Sequence, residues 1–154
     1  MSLLKIDWSR FDELVTEVAE SVRSEYEVDV VVGVGKGGLV PAAIVARKLG
    51  VEEFYSVTVR FYDEGRPPKQ VLDRPRITRQ NVGDLSSKRV LVVDDFSRSG
   101  LTLDIVKKLL LDKGAEEVRT AVVVLREDAR AVPDYYGLKF NGCVIFPWMQ
   151  DGRL

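Results

Sequence analysis

Histidine is absent from this 154-residue chain, and cysteine occurs once, at Cys143. The first absence removes the usual general base near neutral pH and the commonest metal ligand. The second excludes an intrachain disulfide or a cysteine-rich zinc site and suits a reducing compartment. The sequence also lacks a run of about 18 apolar residues that could cross a bilayer, and its first residues have no signal-peptide core. Neither sign of charge is in excess: 23 basic residues face 24 acidic ones. Bulk electrostatics therefore give no reason to expect a nucleic-acid or membrane partner, and any charged site must be local. The expectation is a soluble, cytoplasmic protein with a single domain over 1–154, long enough to bury a sizeable core.

What is present alternates between two periods. Trp8, Phe11, Leu14, Val15, Val18 and Val22 recur at helical spacing, with Asp7 or Ser9 as caps. Residues 28–34 read as a buried strand, followed by a glycine turn and a helix from about Val40, with Pro41 in its first turn and Gly50 past its end. Further strands are expected at 54–61, 89–93 and 118–125, with a helix over 101–113 stopped by Gly114. Such alternation predicts an α/β fold with a mostly parallel twisted sheet flanked by helices.

The most informative run is Val90-Leu91-Val92-Val93-Asp94-Asp95-Phe96-Ser97-Arg98-Ser99-Gly100-Leu101-Thr102. Four aliphatic residues suit a strand buried on both faces, so the adjacent acids should emerge where it leaves the core. Ser97, Ser99, Gly100 and Thr102 then offer hydroxyls and backbone N–H groups at a helix N-terminus, which favours phosphate. Acids beside a phosphate cradle repel bare phosphate but can accept hydrogen bonds from sugar hydroxyls. The ligand implied is a phosphorylated ribose. The plain alternative is an ordinary strand and turn carrying an acid pair with no ligand.

A second glycine-rich turn, Gly33-Val34-Gly35-Lys36-Gly37-Gly38, fits the dinucleotide fingerprint literally and also lies between a strand and a helix. Lys36 points to a highly charged pyrophosphate instead, since the dinucleotide motif works mainly through backbone and helix dipole. Between the two motifs, residues 62–84 are polar and rich in proline and charge, the composition of an active-site lid or a solvated insert.

The run from Val90 to Thr102 resembles the phosphoribosyl pyrophosphate (PRPP) signature of type I phosphoribosyltransferases. The order of a pyrophosphate-type loop, a polar lid and an acid-pair signature is that family's order of parts. Val132-Pro133-Asp134-Tyr135-Tyr136 and Ile145-Phe146-Pro147-Trp148 are similar to stretches of its compact microbial purine enzymes, of the xanthine-guanine and hypoxanthine type. The resemblance implies a Mg²⁺-dependent enzyme that transfers 5-phosphoribosyl from PRPP to a nucleobase, most readily a purine, as in base salvage, and releases pyrophosphate. It assigns Asp94 and Asp95 to the ribose and to catalysis, and Ser97, Arg98, Ser99, Gly100, Leu101 and Thr102 to the ribose-phosphate. Gly35, Lys36, Gly37 and Gly38 would hold the pyrophosphate, and Tyr62 would open a mobile lid over about 62–84. Mg²⁺ would be bound mainly through substrate oxygens, with Asp94 and Asp95 as the protein's contribution. A homodimer is implied as well.

The base end, a small hood over about 126–154, departs from the pattern. Arg98 stands where 6-oxopurine enzymes carry an aspartate that contacts the base, and guanidinium cannot do a carboxylate's acid-base work. Arg126 replaces a lysine that reads the exocyclic oxygen, and can still donate to one. Cys143, beside Val144, replaces an aromatic that stacks on the base, and Met149 replaces an acid after the Pro-Trp pair. Trp148 is expected chiefly in the core. These departures raise a rival from another class: a PRPP-binding sensor that keeps the sugar-phosphate site without transferring to a base.

Overall fold

In a computed structural model of the chain, which describes residues 2–62 and 69–149, the alternating pattern becomes a layered α/β structure. The strands are β1 (Leu3–Lys5), β2 (Val30–Gly35), β3 (Glu53–Arg60), β4 (Arg76–Gln80), β5 (Arg89–Ser97), β6 (Glu117–Leu125), β7 (Tyr135–Lys139) and β8 (Cys143–Ile145). The helices are α1 (Trp8–Glu25), α2 (Leu39–Leu49) and α3 (Leu101–Asp112), and a short 3-10 turn spans Pro147–Met149. Six strands form the main sheet in the order β4-β3-β2-β5-β6-β7, parallel throughout except for β4, which runs against β3. β1 and β8 form a separate parallel pair.

The two central strands explain the apolar runs. Successive side chains of a strand point to opposite faces, and here both faces are covered. Val31, Leu91 and Val93 pack under α1 and α2, with Phe11, Leu14, Val18, Val22 and Val45. Val30, Val32, Val34, Val90 and Val92 pack under α3, with Leu103, Val106 and Leu110. Asp7 caps α1 by accepting a hydrogen bond from the Arg10 amide at 2.8 Å. Gly50, with a left-handed φ of 71°, ends α2.

One expectation is corrected. The strand expected at 89–93 continues to Ser97, because β5 keeps its ladder with β6 as far as the Ser97↔Leu125 register. Asp94 and Asp95 therefore lie within the strand rather than beyond it. Within the 62–84 stretch Arg76–Gln80 forms the edge strand β4, antiparallel to β3, and Val82, with Leu85 just beyond the stretch, is buried on the α3 face of the sheet. Residues 63–68 of that stretch, and 150–154 of the hood, lie outside the described residues.

Tyr26, just past the end of α1, fastens the end of the sheet opposite to the acid pair. Its buried hydroxyl donates to the Val90 carbonyl at 3.0 Å and lies 3.2 Å from that of Glu117, while Arg119 covers its ring at 4.4 Å. Burial, followed by the nearby Glu117 charge, pushes this phenol above its ordinary range. Tyr26→Phe leaves a buried carbonyl without its donor, so urea denaturation should show a loss of about 1 to 2 kcal/mol, with no change in ligand binding at the far end.

Candidate active site at the parting of two strands

β2 and β5 are hydrogen-bonded neighbours only as far as the Gly33↔Val93 register. Beyond it β2 stays with β3 to Gly35↔Thr58, and β5 stays with β6. Chain order reverses at this point, since β3 lies on one side and β6 on the other. An open crevice at the carboxyl ends of the strands is the usual place for a ligand in such sheets. Here it widens into a cavity of about 750 Å³, of a size that holds a small metabolite.

The loop after β2 forms one wall. Its Gly35–Lys36 peptide bond is cis, Gly38 caps α2, and Gly35, Lys36 and Gly37 line the cavity. Gly37 lies against the carboxylate of Asp95 so closely that a Cβ would collide with it. The glycine is required by that approach. The opposite wall is β5 and the turn after it: Asp94, Asp95, Ser97, Arg98, Ser99, Gly100 and Thr102 all line the cavity. Ser99 Oγ accepts from the Leu101 amide at 3.2 Å, opening α3. Gly100 precedes that helix with a φ of 90°, and a Cβ there would meet Ala131 at 2.5 Å. Leu101 starts the helix with its side chain exposed and away from the cavity lining.

Asp94 is 8% exposed and Asp95 half-buried. The Asp95 amide donates to Asp94 Oδ1 at 2.8 Å, and the Phe96 amide to Asp95 Oδ1 at 2.7 Å. Burial first, and then the neighbouring Asp95, hold the Asp94 carboxyl well above the ordinary carboxylate range. Burial also raises Asp95, against the opposing pull of its hydrogen bonds with Asp94 and the Phe96 amide. Ionising both acids in the ligand-free protein is unfavourable, and a ligand offering hydroxyl donors or a cation would relieve it.

The far end of the cavity is apolar: Val40, Cys143, Val144, Phe146, Trp148 and Met149. Phe146 and Trp148 stack with ring planes 3° apart and centroids at 4.9 Å, and Phe11 meets Trp148 edge-on at 5.2 Å. Trp148 thus belongs both to the core and to the cavity wall, and its buried Nε1 has no acceptor among the described residues. Tyr62 lines the cavity, pairs across a bridge with Gln70, and packs beside Phe61.

Most of the residues singled out from the sequence come together here. Arg126 does not line the cavity: its amide donates to the Ser97 carbonyl at 2.9 Å, and its Nε lies 2.5 Å from Asp128. Sequence reasoning missed Phe96, Val40, Thr58 and Arg60, which also line the cavity. The usable signal is their position at strand or helix ends around a switch point, which needs the strand order before it can be read.

Comparison with known proteins agrees with this geometry. Residues 7–149 match the family model described as the phosphoribosyl transferase domain. The chain belongs to that family. It is 31% identical over 121 residues to a xanthine-guanine phosphoribosyltransferase of Cereibacter sphaeroides, covering 77% of this chain and 67% of that protein. It superposes with a TM-score of 0.82 on the crystal structure of a purine phosphoribosyltransferase from Pyrococcus horikoshii, at 35% identity, over 96% of this chain and 94% of the other. A protein named transcriptional regulator GfcR, from Methanocella arvoryzae, is 28% identical over 141 residues, covering 82% of this chain and 66% of the regulator. The type I phosphoribosyltransferase fold expected from the sequence is the one observed, and the dinucleotide-binding alternative is set aside.

The acid pair has a consequence for stability. A carboxyl whose pKa is higher in the folded state binds its proton more tightly there. Its favourable contribution is complete below the ordinary value of 3.8 and is lost as pH rises towards the folded-state value. Asp94→Asn, which stays neutral, should therefore make the ligand-free protein more stable than the parent at neutral pH. It should also flatten the decline of the urea midpoint as pH rises above 3.8. Equal pH slopes for the two proteins would contradict the assignment.

Proposed function

We propose that this chain is an enzyme transferring the 5-phosphoribosyl group of PRPP to a ring nitrogen of a purine base, releasing pyrophosphate. The observation that carries the reading is the contact across the strand parting: Gly37, from the loop after β2, lies against Asp95 near the end of β5. A pyrophosphate held by one loop and a ribose held by the acids would thereby meet at one carbon. In the reaction, the base nitrogen forms a bond to ribose C1 as the C1–O bond to pyrophosphate breaks. The bonding pair leaves with the pyrophosphate, and the proton displaced from the base nitrogen passes to solvent.

The chain's own residues supply position and electrostatics rather than a covalent intermediate. Asp94 and Asp95 accept hydrogen bonds from the ribose hydroxyls. The Ser97–Thr102 turn and the start of α3 take the 5-phosphate on backbone N–H groups and hydroxyls. The Gly35–Gly38 loop, with Lys36, takes the leaving group, and the 62–84 segment, opened by Tyr62, keeps water from the reacting carbon. The donor set fits Mg²⁺: two adjacent carboxylates with raised proton affinity suit a cation that otherwise relies on water and phosphate oxygens. When bound, that ion would neutralise charge on the phosphates. Among the described residues no cluster of three or more acids, histidines or cysteines offers a fuller metal cage.

A second reading has its own support. The similarity to a protein named as a transcriptional regulator, with Arg98, Cys143 and Met149 at the base end, favours a PRPP sensor without transferase activity. Both readings are tested by pyrophosphate release from PRPP and Mg²⁺ with guanine, xanthine, hypoxanthine, adenine, uracil and orotate, against a control without base. Release that depends on a purine is the expected result. PRPP binding by calorimetry without release for any base would make the chain a sensor. In the enzyme, Asp95→Asn should lower kcat/KM by about 100-fold or more, the scale on which aligned polar groups act on a transition state. Gly37→Ala should raise the KM for PRPP while leaving the circular dichroism spectrum unchanged.

A further inference from the structure

The apolar end of the cavity includes a strand that the main sheet does not hold. Cys143 and Val144, which line it, belong to β8. Among the described residues the one strand that pairs with β8 is β1, in parallel and in the register Leu3↔Cys143, Leu4↔Val144 and Lys5↔Ile145. Backbone bonds close both ends of the pair: the Cys143 amide donates to the Ser2 carbonyl and the Ile6 amide to the Ile145 carbonyl, each at 2.9 Å. Gly142 enters so close to the Ser2 carbonyl that a Cβ would collide with it. Two strands alone are marginally stable in water, so the place of β8 depends on what packs beneath the pair.

Alternation along β1 shows what does. Leu3 and Lys5 are exposed, whereas Leu4 packs against the core cluster that contains Val144 and Phe146, and Ile6 is a fully buried member of it. The chain then enters α1 directly, with Asp7 as its cap and Trp8 as its first residue, and the Trp8 ring lies 6.2 Å from that of Trp148. Leu4 itself does not line the cavity. Resting on the transferase reading, we infer that Leu4 is a positioning residue for the purine: seated on the core and paired with Val144, it fixes the height of β8 at the apolar end, and with it the gap into which the flat base fits. A radial gap of about 0.5 to 1 Å forfeits a quarter to a half of a dispersion contact, so a small displacement of β8 is felt by the base. The acid pair and the glycine loop belong to β5 and to the end of β2, whose ladders do not include β8, and they stay in place.

The test measures KM for PRPP and KM for the purine that the parent uses best, in the parent protein, Leu4→Ala, Leu4→Val, Leu4→Met and Lys5→Ala, with thermal melting followed by circular dichroism. Leu4→Ala should raise the KM for the base by about 5-fold or more as contacts at the apolar end open. Leu4→Val, which removes one methylene and suits a strand, should raise it less, and provides the same reading should Leu4→Ala unfold. Leu4→Met keeps the volume and should restore the parent's value. Lys5→Ala, exposed on the same strand, should change nothing. In every variant the KM for PRPP should stay within about twofold of the parent's, as expected of a remote site.

Variants that melt earlier but keep the parent's KM for the base would overturn the inference and leave the transferase reading standing, because Leu4 would then serve the core alone. So would equal rises in both KM values, or failure of both Leu4→Ala and Leu4→Val to fold. No turnover with any base by the parent would sink the transferase reading, and this inference with it.

Discussion

The parting of β2 from β5 after the Gly33↔Val93 register is the constraint on which the site depends. Had the two strands stayed paired, the backbone of Asp94 and Asp95 would be closed on both sides and the loop after β2 would have no crevice to enter. Because β5 remains laddered to β6 through Ser97, the acids are held on a rigid strand while one flank is open. Below the fork, Val30, Val31 and Val32 on β2 and Val90, Leu91, Val92 and Val93 on β5 are each no more than 1% exposed. That packing makes the split a fixed feature of the fold, since close-packed interiors resist small displacements.

The same fork explains the electrostatics. A strand that runs from a core buried on both faces into a crevice carries its side chains through low dielectric before they reach solvent. Asp94 is caught in that transition, and its raised proton affinity follows from burial first and from Asp95 second. The pair is at odds with the ligand-free protein and suited to a ligand that brings hydroxyl donors and a cation. Functional sites are where a fold keeps such unfavourable states, and here the surrounding aliphatic core supports the arrangement.

The parts legible in the sequence are those whose chemistry is local. A buried apolar run ending in two acids, a hydroxyl-rich turn and a glycine-rich loop can each be recognised within a dozen residues, and the fold brings all three to one cavity. The end of β5 is not legible in this way: the apolar run stops at Val93, whereas hydrogen bonding to β6, which side chains do not report, carries the strand four residues further. β4 is hidden within a polar stretch because an edge strand needs no apolar alternation on its exposed face; its residues 76 and 78–80 are polar and its partner β3 supplies the order. Arg126 fits the pattern in the sequence, yet its guanidinium sits beside Asp128 outside the cavity lining, a competition between neighbours that only the fold displays.

The two ends of the cavity are built by different means. The end formed by the loop after β2 and the turn after β5 is made of backbone and short side chains within two continuous segments, so its geometry is set once the parallel sheet forms. The other end is assembled from remote elements: Cys143 and Val144 on β8, which is held by its pairing with β1, and Trp148 wedged among Trp8, Phe11 and Phe146. Arg98 stands between them: it arises from the turn after β5 and lies over the Tyr62 and Phe96 rings, which also line the cavity. The fork and its acids are thus fixed by the sheet, whereas the apolar end rests on contacts far apart in the chain.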